Sequence, residues 1–222
     1  MPLPAAGPIR AVVFDLDGLM FNTEEVYAHT GTEILRRRGK APTSDLFHRM
    51  MGRRAPEALQ IMIDVMHLSD SIETLQAETK DIWTQVVDTH LRMMPGLLEL
   101  LDLIESRQLP RAVATSSGRR YLDQLLGRFD LLHRFDFTLT AEDVTHGKPH
   151  PEIYLTAAER IGVAPPQMLV LEDSEAGTRS AAAAGAHIIS VPHEHSREQD
   201  FSHANAIAHS LADPVIHNLL TE

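Results

Sequence analysis

Two carboxylates one residue apart, Asp15 and Asp17, close the apolar run Val12-Val13-Phe14 just before Gly18. Buried carboxylates are costly unless they are paired, hydrogen-bonded or bound to a cation. Residues two apart on an extended segment share a side, so both acids are expected to face one place. Three further polar groups sit beside short apolar runs or turns. Thr115-Ser116-Ser117 follows Ala112-Val113-Ala114. Lys148 lies in Gly147-Lys148-Pro149-His150-Pro151. Glu172-Asp173-Ser174 follows Met168-Leu169-Val170-Leu171. Asp15, Glu172 and Asp173 offer hard oxygen ligands of the kind Mg²⁺ takes. Thr115 and Lys148 offer a hydroxyl and a cation suited to phosphate oxygens. A carboxylate beside a charge-neutralised phosphate can attack phosphorus and become an aspartyl phosphate. A second acid can protonate the leaving oxygen and later activate water.

These residues need elements that bring them together. Short apolar runs ended by Gly or polar residues read as buried strands of a parallel sheet, here at 9–14, 111–114, 137–139, 168–171 and 187–191. Helical patterns cover 23–38, 44–51, 56–67, 71–91, 97–107, 119–127, 151–161, 175–184 and 213–220. Pro151 falls in the first turn of its helix, and Asn22 or Thr23 caps the start of the first one. Strands alternating with helices predict an α/β fold, a doubly wound, Rossmann-like parallel sheet. Such sheets bind ligands at the carboxyl ends of their strands, so groups more than 150 residues apart converge there. Residues 20–91 carry no strand pattern and read as an inserted all-helical cap. The expected organisation is a core of 1–19 and 92–222 and a cap of 20–91.

Composition narrows the partners. The chain has 222 residues, 43% hydrophobic and 23% charged, with a net charge of −11 and no cysteine. An acidic chain is a poor partner for nucleic acid, and a cysteine-free one has no disulfide, thiolate metal site or cysteine nucleophile. The first residues do not resemble a signal peptide, and no apolar run reaches the ~18 residues a membrane span needs. A cytoplasmic monomer acting on a small phosphorylated metabolite is the expectation. His193, His195, His203, His209 and His217 read as solvent-exposed in a polar tail, not as a zinc site. Arg36-Arg37-Arg38 with Lys40 reads as a solvated helix end.

Taken together, Asp15-Leu16-Asp17-Gly18, Thr115, Gly147-Lys148-Pro149-His150-Pro151 and Glu172-Asp173-Ser174 with Ala176-Gly177 resemble the haloacid dehalogenase superfamily of hydrolases. The resemblance is to its helical-cap group, which includes β-phosphoglucomutase and phosphoglycolate phosphatase, and spans about residues 9–220. It implies that Asp15 is the nucleophile and a Mg²⁺ ligand. It makes Asp17 the acid/base, with its backbone carbonyl on the metal. Thr115 and Lys148 would hold the phosphoryl group, and Asp173 and Glu172 the metal. An acid at position 17 favours phosphatase or phosphomutase over dehalogenase. In β-phosphoglucomutase a cap histidine assists the acid/base; the matching residue here is Tyr27, with His29 two residues on. Asn22 stands where relatives carry Asp, a change read as neutral. In the cap, Gly52, Arg53, Arg54 and Lys80 are candidate substrate contacts, as is Ser116 in the core. The leading expectation is a Mg²⁺-dependent phosphatase of a sugar phosphate. A phosphomutase is the first alternative, and a non-catalytic binding protein on the same fold the second.

Overall fold

The computed structural model describes residues 8–43, 45–50 and 55–221. In chain order the elements are β1 (Ala11–Phe14), α1 (Thr23–Arg37), α2 (Leu46–Met50), α3 (Ala55–Met66), α4 (Ile72–His90), α5 (Leu97–Ser106), β2 (Arg111–Ala114), α6 (Arg119–Arg128), β3 (Phe137–Leu139), α7 (Glu152–Ile161), β4 (Met168–Glu172), α8 (Glu175–Ala184), β5 (His187–Ser190), β6 (Ala206–Ile207) and α9 (Pro214–Thr221). Two compact units result, Met1–Met20 with Met93–Glu222, and Phe21–Arg92.

The larger unit is built on a six-stranded sheet in the order β3-β2-β1-β4-β5-β6. Every neighbouring pair is parallel. β1 lies between β2 and β4, with Val13 in register with Ala112 on one side and Val170 on the other. All four residues of β1 are fully buried, as a strand covered on both faces must be, and this is why its sequence is a continuous apolar run. One face packs Ala11, Val13, Ala114 and Val170 against Tyr154 of α7 and Ala181 of α8. The alanine-rich α8 lets its backbone approach the sheet closely. Along a strand the alternate residues point to the opposite face, and there Phe14 meets Phe135 edge-on at 5.9 Å. Leu97, Leu100, Leu101 and Ile104 of α5 are buried as well, each such side chain contributing about 1.5–3 kcal/mol. The chain passes from β1 to β2 and β3 on one side and returns to β4 on the other. That reversal of strand order is where open α/β sheets form a binding crevice.

The elements of the smaller unit are all α-helices, α1 to α4. Ile34, Leu35, Leu46, Leu59, Met62, Leu75 and Ile82 form its core, and Ser71 caps α4 by accepting the Thr74 N–H. Arg38 departs from the solvated helix end expected of the basic cluster. Its side chain is 19% exposed and donates to both oxygens of Asp70 and to Glu78, at 2.6–2.9 Å. Asn22 also differs from expectation. It precedes α1 but makes no side-chain cap. Its amide donates to Glu25 Oε2 at 2.5 Å and to the His90 carbonyl at 3.0 Å, while its Oδ1 accepts the Arg92 N–H at 2.6 Å. Asn22 thereby ties together the two ends of the unit. An aspartate has no N–H to donate, so the residue is not a neutral replacement. His29 stacks on His90 with centroids 4.1 Å apart, while Tyr27 is 39% exposed.

Pro151 is the N-cap of α7, with helical φ and ψ, and its carbonyl accepts the Leu155 N–H at 3.0 Å. One smaller difference has a local cause. The two-residue β6 lies in a stretch with no strand pattern; it is held by pairing to β5 alone.

Candidate active site

The sequence places polar residues where three adjacent strands end, and the parallel sheet aligns those ends. Asp15 follows β1, Thr115 follows β2, and Glu172 and Asp173 close β4. All four are buried, with Glu172 fully enclosed, and the carboxylate oxygens of Asp15, Glu172 and Asp173 come within 4.8 Å of one another. Lys148 reaches into this group from the turn before α7. Its Nζ donates to Asp15 Oδ1 at 2.5 Å, Glu172 Oε1 at 2.6 Å and the Ala114 carbonyl at 2.9 Å. The ammonium also lies 5.0 Å from the centre of the Tyr154 ring.

Burial raises the Asp15 carboxyl well above the usual range; Lys148 pulls it down, and the neighbouring acids push it up again. Burial likewise raises Asp173, assisted by Glu172. Desolvation opposes the Lys148 charge, but Asp15 and Glu172 outweigh it and keep the ammonium protonated.

Each carboxylate is held by its own partners. Tyr154 donates to Glu172 Oε1 at 2.6 Å, and the other oxygen accepts the Asp173 N–H and the Ser174 hydroxyl. The carboxylate lies against the backbone of Gly177, where a Cβ would fall 1.7 Å from Glu172 Oε1. Gly18 serves Asp173 in the same way. At φ +78° it occupies the left-handed region, and a Cβ there would stand 2.2 Å from Asp173 Oδ2. Asp17 is bound by hydroxyls. Ser117 donates to its Oδ2 at 2.7 Å, Tyr121 to its Oδ1 at 2.9 Å, and Thr115 lies 3.4 Å from Oδ2.

The structure thus gathers Asp15, Asp17, Thr115, Lys148, Glu172 and Asp173. The other candidates make none of these contacts or fall outside what the structure describes. Ser116 is exposed, and its neighbour Ser117 is the serine that meets Asp17. Lys80 is an exposed residue of α4 in the smaller unit. Gly52, Arg53 and Arg54 lie outside the described residues. His193 corrects the reading of the tail histidines as solvent-exposed. It is 11% exposed, with Nε2 3.0 Å from Asp173 Oδ2, and its Nδ1 accepts the His195 N–H. That acceptor role assigns the ring proton to Nε2, so a neutral His193 donates to Asp173. Tyr121, Tyr154, Ser117 and His193 carry no spacing signal. Each is brought in by an element whose position depends on the whole fold.

The donor set suits a hard divalent cation. Three buried carboxylates face one lysine, and Lys148 engages only Asp15 and Glu172 among them, so positive charge is in deficit where oxygens are already gathered.

Comparison with known proteins agrees with this geometry. Residues 12–191 match the family model described as haloacid dehalogenase-like hydrolase. A phosphorylated carbohydrates phosphatase from Thermotoga maritima is 35% identical, over 80% of this chain and 82% of its own. A (DL)-glycerol-3-phosphatase from Arabidopsis thaliana is 33% identical, over 96% of this chain and 72% of its own. A Thermotoga maritima crystal structure provisionally described as a beta-phosphoglucomutase superposes with a TM-score of 0.78 at 32% identity, over 96% of this chain and 97% of that one. With its parallel sheet, its helical insert and its aligned carboxylates, the chain belongs to the haloacid dehalogenase-like hydrolase family.

Proposed function

We propose that this protein is a phosphatase that hydrolyses a small phosphorylated metabolite of the sugar or polyol phosphate class through an aspartyl phosphate on Asp15. The reading rests above all on the pairing of two differently held acids: Asp15, fixed by Lys148 at 2.5 Å, and Asp17, fixed by hydroxyls. Lys148 favours the anionic form of Asp15 that attacks, against the burial that raises its carboxyl. An Asp15 oxygen bonds to phosphorus as the ester P–O bond breaks, and Asp17 gives its proton to the departing alkoxide. Water then attacks the phosphorus of the acyl phosphate while Asp17 takes its proton, releasing inorganic phosphate and restoring Asp15. Thr115 and Lys148 orient the phosphoryl oxygens. Asp15, Asp173 and Glu172 would hold Mg²⁺, which supplies charge that offsets the repulsion between Asp15 and the phosphate. The helical unit, as a cap, would supply substrate specificity.

The relatives support the substrate class, since two of them are named for phosphorylated carbohydrates and glycerol 3-phosphate. Phosphate release from a panel of sugar and polyol phosphates with Mg²⁺ tests the reading. Turnover of at least one member is expected, with loss of at least about 10³-fold in Asp15→Asn. Retained activity in that variant would overturn it. The phosphomutase alternative is favoured by the beta-phosphoglucomutase likeness. It predicts conversion of β-glucose 1-phosphate to the 6-phosphate, with a bisphosphate primer and without free phosphate.

A further inference from the structure

We propose that His146, His150 and Glu152 form a second metal site, for a borderline divalent transition ion such as Zn²⁺, on the turn that carries Lys148. Their donor atoms lie within 4.8 Å of one another. Glu152 Oε2 is the common point, 2.9 Å from His146 Nδ1 and 3.8 Å from His150 Nδ1. Tetrahedral zinc with ligands at about 2.0–2.2 Å sets its donors roughly 3.3–3.5 Å apart, a spacing these two distances bracket. The imidazole rings are already side by side, with centroids 4.5 Å apart and a tilt of 35°.

The carboxylate is fixed before any ion arrives. Glu152 Oε1 accepts the Thr145 N–H at 2.7 Å and Oε2 the His146 N–H at 2.9 Å. Oε1 keeps a further lone pair for a metal, and Oε2, which also accepts from His146 Nδ1 at 2.9 Å, frees one when that ring proton moves to Nε2. His150 Nδ1 accepts the Glu152 N–H at 3.3 Å, so it carries a lone pair and not the ring proton. That long hydrogen bond is the contact an ion would replace. His146 would carry its ring proton on Nε2 in the bound form. The His146 and His150 side chains are 62% and 50% exposed and Glu152 is 28% exposed, so an ion can reach them and a water can complete the shell. Two imidazoles with one carboxylate select zinc-like ions over Mg²⁺, whereas the all-oxygen cluster at Asp15, Glu172 and Asp173 has the reverse preference. The two sites are therefore chemically distinct, and this one does not depend on the reaction proposed above.

Calorimetric titration of the full chain with ZnCl₂ tests the proposal, using an Asp15→Asn/Asp173→Asn variant to disable the oxygen cluster. That variant is expected to keep one zinc ion per chain. His150→Ala and His146→Ala, made in the same background, should each weaken it by more than about tenfold. His150→Asn is the fallback if an alanine variant unfolds. Zinc-edge X-ray absorption should show two imidazoles and oxygen ligands. Zinc binding that is absent, that disappears with the Asp15 and Asp173 substitutions, that survives the histidine substitutions, or that shows oxygen ligands alone overturns the proposal.

Discussion

Asp17 is held by hydroxyls where Asp15 is held by an ammonium, and this difference separates their roles. A lysine beside a carboxylate favours the anion; a hydroxyl can donate to the anion and still accept from the acid. Tyr121 meets one oxygen of Asp17 and Ser117 the other, so the carboxyl is fixed in orientation. A hydrogen bond to a charged group contributes about 1.5–3 kcal/mol, or roughly 10–100-fold. Tyr121→Phe is therefore expected to lower kcat by at least about tenfold while leaving KM within about twofold. Its pH–rate profile should also shift. A loss seen mainly in KM, with an unchanged pH profile, would remove Tyr121 from the support of Asp17. The acids and Lys148 were legible in the sequence because each terminates an apolar run or sits in a Gly-Pro turn. Tyr121 was not, because it lies on α6, and nothing local in a helix records which strand end its hydroxyl meets. His193 was hidden similarly, being one of several histidines in a polar tail.

Among the elements, the parallel strands and the α-helices follow from apolar runs and helical periodicity, while β6 and the bonding of Asn22 do not. A two-residue strand has no pattern to read, and a side chain bridging positions 70 residues apart answers to tertiary structure. The same applies to the Arg38 link between α1 and α4, invisible in the basic cluster Arg36-Arg37-Arg38. The Arg38 hydrogen bond holds Asp70 below the usual carboxylate range. A depressed folded-state value adds stability above the unfolded pKa, and that share is lost as pH falls through the folded value. Arg38→Met should therefore lower the unfolding midpoint at pH 7 by about 2–4 °C, the equivalent of roughly 1 kcal/mol in a chain of this size. The gap should close as pH falls below about 4. Thermal scans at pH 7 and pH 3 check this, and a gap that persists at pH 3 would mean that Arg38 acts through packing of its stem.

Over the whole molecule acids outnumber bases, at a net charge of −11, and three acids are confined together at the sheet edge. This concentration opposes folding. Burial raises Asp15 and Asp173 above their unfolded values. A carboxyl raised in this way contributes stability below its unfolded pKa and loses it as pH rises through the folded value. The metal-free protein is thus expected to give up this share of its stability as pH climbs above about 4. A divalent cation on the same oxygens acts in the opposite sense, because it binds the ionised carboxylates and so binds more tightly at higher pH. At a concentration a hundredfold above Kd, binding to the folded state alone adds about 2.7 kcal/mol. At about 2–4 °C per kcal/mol this raises the midpoint by roughly 5–11 °C. Mg²⁺ should therefore raise the unfolding midpoint by several degrees at pH 8 and by much less at pH 5, against a potassium control of equal ionic strength. Asp173→Asn should remove that rise and, by relieving repulsion, raise the midpoint of the metal-free chain at pH 8. If the rise were equal at both pH values, or survived Asp173→Asn, the charge deficit at the sheet edge would not be what draws the cation.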